Sequence, residues 1–463
     1  MKLADIAFAG AADHNRMLAD GVITSPALIE LYLERIARLN PELRAFTAVF
    51  DDTARAEAAA AQRMLDAGET RPLLGVPVAI KDNVDVAGAY TTFGTRAHGA
   101  AKERDAEVVR RLRTAGAVII GKTACPELCM WPFTETVTFG ATRNPWNKTR
   151  TPGGSSGGAA VATVAGMASF ALGSDAGGSV RIPATWCGVF GIKPQRGRVP
   201  LSPNDEGWYG LNVNGVLTRT VEDAALFLDI TTTADAPGGG FVGALTQTPP
   251  RLRIALSTKV PPFVFSRLGM AQRAAVDQAG ALLQRLGHQV IRRDPGYPLS
   301  TITGSFIPRY LRGIHDDVTA LPHRDRLEAR TRTMAKLGGL LSDRRMSAVR
   351  AREQAITGRL QRIFDDVDVL VTPGTASGPP RVGKYQGRGA ITTLALASRH
   401  VPFQQAFNVT GQPAAVIPWG FDEDGLPLSI QLVGRPFDEA TLLSLSAQFE
   451  AVRPWARRRP RWS

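Results

Sequence analysis

Apolar residues near the start of the chain recur at helical spacing. Leu28, Leu31, Tyr32, Ile36 and Leu39 follow Ser25-Pro26, and a cap residue just before a first-turn proline predicts that a helix starts there. The alanine-rich stretch 53–67 predicts a second helix, stopped at Gly68. The period then shortens. Val76-Pro77-Val78-Ala79-Ile80 is a short apolar run ending in Lys81-Asp82-Asn83, the pattern of a buried strand that delivers polar side chains at its end. Asp105 is placed to cap a helix whose apolar side is Val108, Val109 and Leu112, with Gly116 as its stop. Val118-Ile119-Ile120 predicts the next strand, and the small residues of 159–167 suit a tightly packed internal helix. The segment 307–363 reads as helical and rich in arginine, between strand-like segments around 253–255 and 367–371. It is expected to be an insertion over one end of a sheet, where a lid or substrate wall would sit.

Strand, helix and strand alternate, so the class is α/β with some parallel pairing. No repeat and no long linker divides the 463 residues, and one large domain is expected. Composition agrees: 44% hydrophobic and 21% charged residues describe a globular chain with a sizeable core. The balance is basic, Lys+Arg 55 against Asp+Glu 42, but the excess is scattered except for the stretch 453–463. No nucleic-acid-binding module accompanies it, and a solvated face with a basic tail accounts for the charge. Cys125, Cys129 and Cys187 cannot all pair, and their spacing is not that of a zinc site. No leader-like apolar region and no membrane-length run is found. A soluble cytoplasmic protein is expected, in which the sequons at Asn147 and Asn408 carry no glycan.

Two glycine-serine runs carry the chemistry: Pro152-Gly153-Gly154-Ser155-Ser156-Gly157-Gly158 and Gly173-Ser174-Asp175-Ala176-Gly177-Gly178-Ser179-Val180-Arg181. Glycine-rich loops free backbone N–H groups to face an anion, either a phosphate or the oxyanion of a tetrahedral intermediate. A phosphate loop would end in Gly-Lys-Ser/Thr, and neither run contains lysine. Gly153-Gly154-Ser155-Ser156-Gly157 fits the nucleophile-elbow pattern. An elbow needs a strand immediately before it, however, and the approach 144–152 contains Pro145, Pro152 and no apolar run.

The two runs, with Lys81 upstream and Ser155 and Ser179 standing 24 residues apart, closely resemble the signature of the amidase-signature family. Asn144-Pro145-Trp146, Cys187-Gly188-Val189-Phe190-Gly191-Ile192-Lys193-Pro194, Thr218-Arg219-Thr220-Val221-Glu222-Asp223, Asn408-Val409-Thr410-Gly411-Gln412-Pro413-Ala414 and Gly425-Leu426-Pro427-Leu428-Ser429-Ile430-Gln431 extend the resemblance through most of the chain. It implies an α/β fold with a large mixed, mostly parallel twisted sheet wrapped by helices on both faces. The single domain 1–463 would comprise an N-terminal helical segment 1–68, a catalytic core 69–245 and a helical insertion 305–365 near the substrate.

The resemblance also assigns roles. Ser179 would be the nucleophile and Ser155 the proton relay, held by a cis peptide after Gly154. Lys81 would be the base, which must be neutral to take a proton, a form that burial favours. Ala176, Gly177 and Gly178, with Ser179 itself, would supply oxyanion-hole N–H groups. Asp175 and Arg181 would support the nucleophile, and Cys129, Met130 and Trp131 fall where relatives line the acyl pocket. Ser174 and Ala176 depart from the commoner threonines without removing a hydroxyl or backbone N–H that the chemistry needs. No cofactor, no metal, no nucleic acid and no membrane span are implied; the substrate is a small-molecule amide, and a homodimer is left open. The expected activity is hydrolysis of linear amides. The alternatives are a glutaminase subunit of a tRNA-dependent amidotransferase or an inactive binding protein.

Overall fold

The structure, a computed structural model, describes residues 3–232, 237–247, 249–262 and 264–461. Trp462 and Ser463 of the basic stretch therefore lie outside the described residues, as do Met1 and Lys2 of the N-terminal segment and residues 233–236 of the expected core. The strands are β1 (Phe46–Val49), β2 (Pro77–Lys81), β3 (Val118–Thr123), β4 (Glu135–Thr136), β5 (Gly140–Ala141), β6 (Phe170–Asp175), β7 (Phe190–Lys193), β8 (Val213–Thr218), β9 (Arg253–Leu256), β10 (Gln289–Arg292), β11 (Val369–Pro373), β12 (Ala414–Phe421) and β13 (Pro427–Val433). Every position of β2, β3, β6, β7 and β8 is buried. Continuous apolar runs of that kind form strands covered on both faces.

Eleven of these strands form one sheet in the order β1-β3-β2-β6-β8-β7-β12-β13-β11-β9-β10, and β4 pairs with β5 alone. The sheet is mixed, as expected, and helices flank it. It is not mostly parallel: β3-β2, β2-β6, β11-β9 and β9-β10 pair in parallel, while the other six pairings are antiparallel. The segment 1–68 is likewise not helical throughout, because β1 supplies the edge of the sheet beside β3.

The expected helices are present with altered starts. Helix Ser25–Leu43 is capped by Thr24, whose hydroxyl accepts from Ala27 N, while Ser25 is buried and donates to Gly75 O. Asp105 does not cap helix Glu107–Thr114; it accepts from Ala87 N at 2.8 Å and pairs with Arg113 at 3.1 Å. In both cases a tertiary partner outcompetes the local cap. Between β10 and β11 run helices Ile307–Ala320, Ala329–Gly339, Asp343–Ala351 and Glu353–Gln361. The first, second and fourth of these contribute apolar residues to a second core with Met130, Trp131 and Phe133, separate from the main core around the sheet.

Candidate active site

β2 and β6 lie side by side, and both end in polar residues. This register brings Lys81, at the end of β2, against Ser174 near the end of β6. Lys81 is fully buried, and its Nζ lies 2.6 Å from Ser155 Oγ, 2.9 Å from Ser174 Oγ and 3.3 Å from Ser174 O. Asn83 Nδ2 donates to the same Ser174 hydroxyl at 3.0 Å. Every one of these Lys81 partners is a hydroxyl or carbonyl oxygen. Lys122, on the adjacent strand β3, is buried too but lies 3.2 Å from the Asp82 carboxylate. Of these two buried lysines, one is neutralised as an ion pair and the other faces neutral oxygens, the arrangement a proton acceptor needs.

Ser155 is 1% exposed and follows a cis Gly154–Ser155 peptide. The next residue ties the two glycine runs together: Ser156 N donates to Ser179 O at 3.1 Å and Ser156 Oγ donates to Ser174 O at 3.2 Å. Gly154 is in close quarters, since a Cβ there would meet Trp131 O at 2.6 Å. Ser179 is half-buried at the turn between β6 and helix Arg181–Cys187.

Asp175 shapes that turn. Its carboxylate accepts from Gly178 N at 2.7 Å, Val180 N at 3.1 Å and Arg181 N at 3.4 Å, and pairs with the Arg181 guanidinium at 2.9 Å. Burial alone would raise its pKa; the Arg181 charge, with hydrogen bonds from Arg181 and Asn408, instead holds it well below the usual carboxylate range. Arg181 in turn donates to Gln404 O, Asn408 Oδ1 and Gln431 Oε1. The Gly178 N–H is thus turned towards Asp175 and is withdrawn from the expected oxyanion donors. The N–H groups of Ala176, Gly177 and Ser179 have no partner among the described residues.

Ser155, Ser174, Ala176 and Ser179 open on one cavity of about 660 Å³. Cys129 lines it; Met130 and Trp131 do not. Leu128 and Cys129 both adopt left-handed backbone (φ 49° and 55°), which turns Cys129 to the cavity and the next residues into the second core. There Trp131 stacks on Phe133, and the Met130 carbonyl accepts from Tyr310 OH at 2.8 Å. Seven described non-glycine residues have positive φ, and five of them (Phe93, Leu128, Cys129, Trp208 and Tyr209) line this cavity. Such conformations cost about 1–3 kcal/mol each and collect where function requires them.

The residues that sequence reasoning passed over are Asn83, Asn408, Trp208, Tyr209 and Asp317. Asn83 was signalled by its place beside Lys81 at the strand end; Asn408, a sequon residue, is a buried strut between Asp175 and Arg181. The others had no sequence signal. Among the described residues no group of three His, Cys, Asp or Glu side chains is placed to hold a metal ion, and no helix is long and apolar enough to cross a membrane.

The amidase family model matches residues 27–443. A relative named "Putative amidase AmiB2" in Mycobacterium tuberculosis is 63% identical over 456 residues, covering 98% of each chain. Among solved structures, 6-aminohexanoate cyclic dimer hydrolase matches with a TM-score of 0.88 and 30% identity, over 98% of this chain and 99% of that one. The peptide amidase of Stenotrophomonas maltophilia matches with a TM-score of 0.82 and 25% identity, over 98% of both. The chain belongs to the amidase family, whose solved members of this fold are amidases and related hydrolases of C–N bonds.

Proposed function

We propose that the protein hydrolyses a carboxylic amide, preferentially an acyclic one, to a carboxylate and ammonia or an amine through an acyl-enzyme on Ser179. The observation that carries this reading is the 2.6 Å contact between Lys81 Nζ and Ser155 Oγ, with Ser155 facing the same cavity as Ser179. A neutral Lys81 has two N–H groups for the oxygens of Ser174 and a lone pair for the Ser155 hydroxyl. Ser155 gives its proton to Lys81 as it takes that of Ser179, whose Oγ attacks the amide carbonyl. The carbonyl oxygen becomes an oxyanion that meets the N–H groups of Ala176, Gly177 and Ser179, each worth about 100- to 1,000-fold in rate if lost. Breaking the C–N bond returns the proton through Ser155 to the leaving nitrogen. Water then attacks the acyl-enzyme, and its proton travels the same relay before Ser179 Oγ recovers it.

The cysteines, unpaired in the structure, support a reducing cytoplasmic setting for this chemistry. The test is release of ammonia or amine from a panel of aliphatic, aromatic, amino-acid and cyclic amides. Ser179→Ala and Lys81→Ala should each lower turnover by on the order of 10⁴- to 10⁶-fold with the circular dichroism spectrum unchanged. Equal rates for Ser179→Ala and the wild type would overturn the assignment of the nucleophile.

A further inference from the structure

The cavity is acidic although the chain carries a formal net charge of +13. Asp85, Glu206, Asp316 and Asp317 line it, against Lys102 as the one lysine or arginine among its lining residues. Three of these carboxylates have cations of their own: Asp85 lies 3.3 Å from Lys102, Glu206 3.4 Å from Arg350 and Asp316 2.8 Å from Arg312. Asp317 differs. It sits on helix Ile307–Ala320, half-buried, and has no cation within salt-bridge distance among the described residues. Its Oδ2 accepts from Trp208 Nε1 at 2.7 Å, and its Oδ1 has no partner among them.

The site around Asp317 is built. Trp208 and Tyr209 both adopt left-handed backbone, with φ of 50° and 56°. In that strained turn the indole N–H reaches Asp317 and the phenol OH reaches Asp316 at 2.8 Å. The Trp208 ring lies on the helix at Gly313, where a Cβ would meet it at 2.5 Å, and packs edge-on against Tyr310. Burial pushes Asp317 up to about 6, against the Trp208 hydrogen bond and with the Asp316 charge; at pH 7.5 it is therefore a carboxylate. A carboxylate taken partly out of water with no counter-charge is costly to keep unless a ligand supplies one. An indole beside it adds a surface that also favours a cation.

We propose that Asp317, oriented by Trp208, is the subsite for a protonated amino group on the substrate, so that the preferred substrate is an amide bearing a primary ammonium. This rests on the reading of the cavity as an amidase site and deepens it. In the bound complex the ammonium donates to Asp317 Oδ1, while the amide carbonyl lies at Ser179.

The deciding measurement is calorimetric binding to the Ser179→Ala protein, which needs no turnover. The probes are 4-aminobutanamide and 6-aminohexanamide, each against its neutral isostere, pentanamide and heptanamide. At least one amino amide should bind about tenfold or more tightly than its isostere, and that ratio should fall towards one when Asp317→Asn is added. The wild type should show the same ratio in kcat/KM. Equal or weaker binding of both amino amides overturns the proposal whether or not the wild type hydrolyses any of the four. A charge preference that survives Asp317→Asn also overturns it. Absence of turnover in a protein that binds the amino amides with the expected ratio would count against the amidase reading and leave the subsite standing.

Discussion

Lys81 and Lys122 show how much a single partner decides. They stand on neighbouring parallel strands and are equally buried, yet only Lys122 has a carboxylate in reach. Replacing Lys122 with Met should strand the Asp82 charge and cost about 3–5 kcal/mol of stability, read from urea unfolding. Ser174→Ala should cost less, about 1–3 kcal/mol, because it takes one oxygen from the buried N–H groups of Lys81 and Asn83, and should lower kcat/KM by about 10- to 100-fold. At this scale the sequence was legible where a residue acts through its own chemistry. Lys81 Nζ contacts Ser155 Oγ, and Ser155 and Ser179 line one cavity. It was not legible where a backbone turn decides direction. Nothing in Cys129-Met130-Trp131 discloses that two left-handed residues point the first at the cavity and bury the other two.

Among the elements, helix Gly157–Val164 makes a tight demand. It starts so close to the end of β3 that a Cβ on Gly158 would lie 2.3 Å from Ala124 N and 2.4 Å from Ala45 O. Both contacts are backbone, which cannot step aside as a flexible side chain can. Gly158→Ala should therefore cost at least about 1–3 kcal/mol, with a matching fall in the urea midpoint, and turnover should fall with it because Ser155 and Ser156 lead into that helix. Helix and strand positions were legible from periodicity, but strand direction was not. The apolar runs of β7, β8, β12 and β13 look alike whichever way they point, and direction is set by how the connections cross the sheet. Caps failed for a related reason: Ser25 and Asp105 have distant partners that the local pattern does not contain.

The molecule as a whole should respond to acid through groups far from the cavity. His14 is fully buried, with Nε2 2.8 Å from Ile6 O and Nδ1 2.9 Å from Ser169 Oγ, and burial lowers its pKa from 6.5 to about 4. Below pH 6.5 the unfolded chain binds a proton that the folded one refuses until about pH 4, so stability falls across that window as pH drops. The loss amounts to about 3 kcal/mol. Asp223 and Glu450, raised by burial to about 6 and about 7, act with the opposite sign over an overlapping range, since the folded chain holds their protons more tightly. The net slope therefore mixes both. The difference between wild type and His14→Gln isolates the histidine: the variant should gain on the wild type as pH falls from 6.5 to 4, in urea titrations at fixed ionic strength. A constant difference would rule out His14 as the source.

The Asp175–Arg181 pair joins the turn that carries Ser179 to Gln404, Asn408 and Gln431, more than 220 positions further along. That connectivity dates the site within the life of the molecule. While the chain is being synthesised, Arg181 can meet Asp175 early, but the oxygens of Gln404, Asn408 and Gln431 reach its guanidinium only once those later residues exist. On the proposed mechanism, a chain that ends before Gln404 should lack the clamp that fixes the Ser179 turn and release no amine.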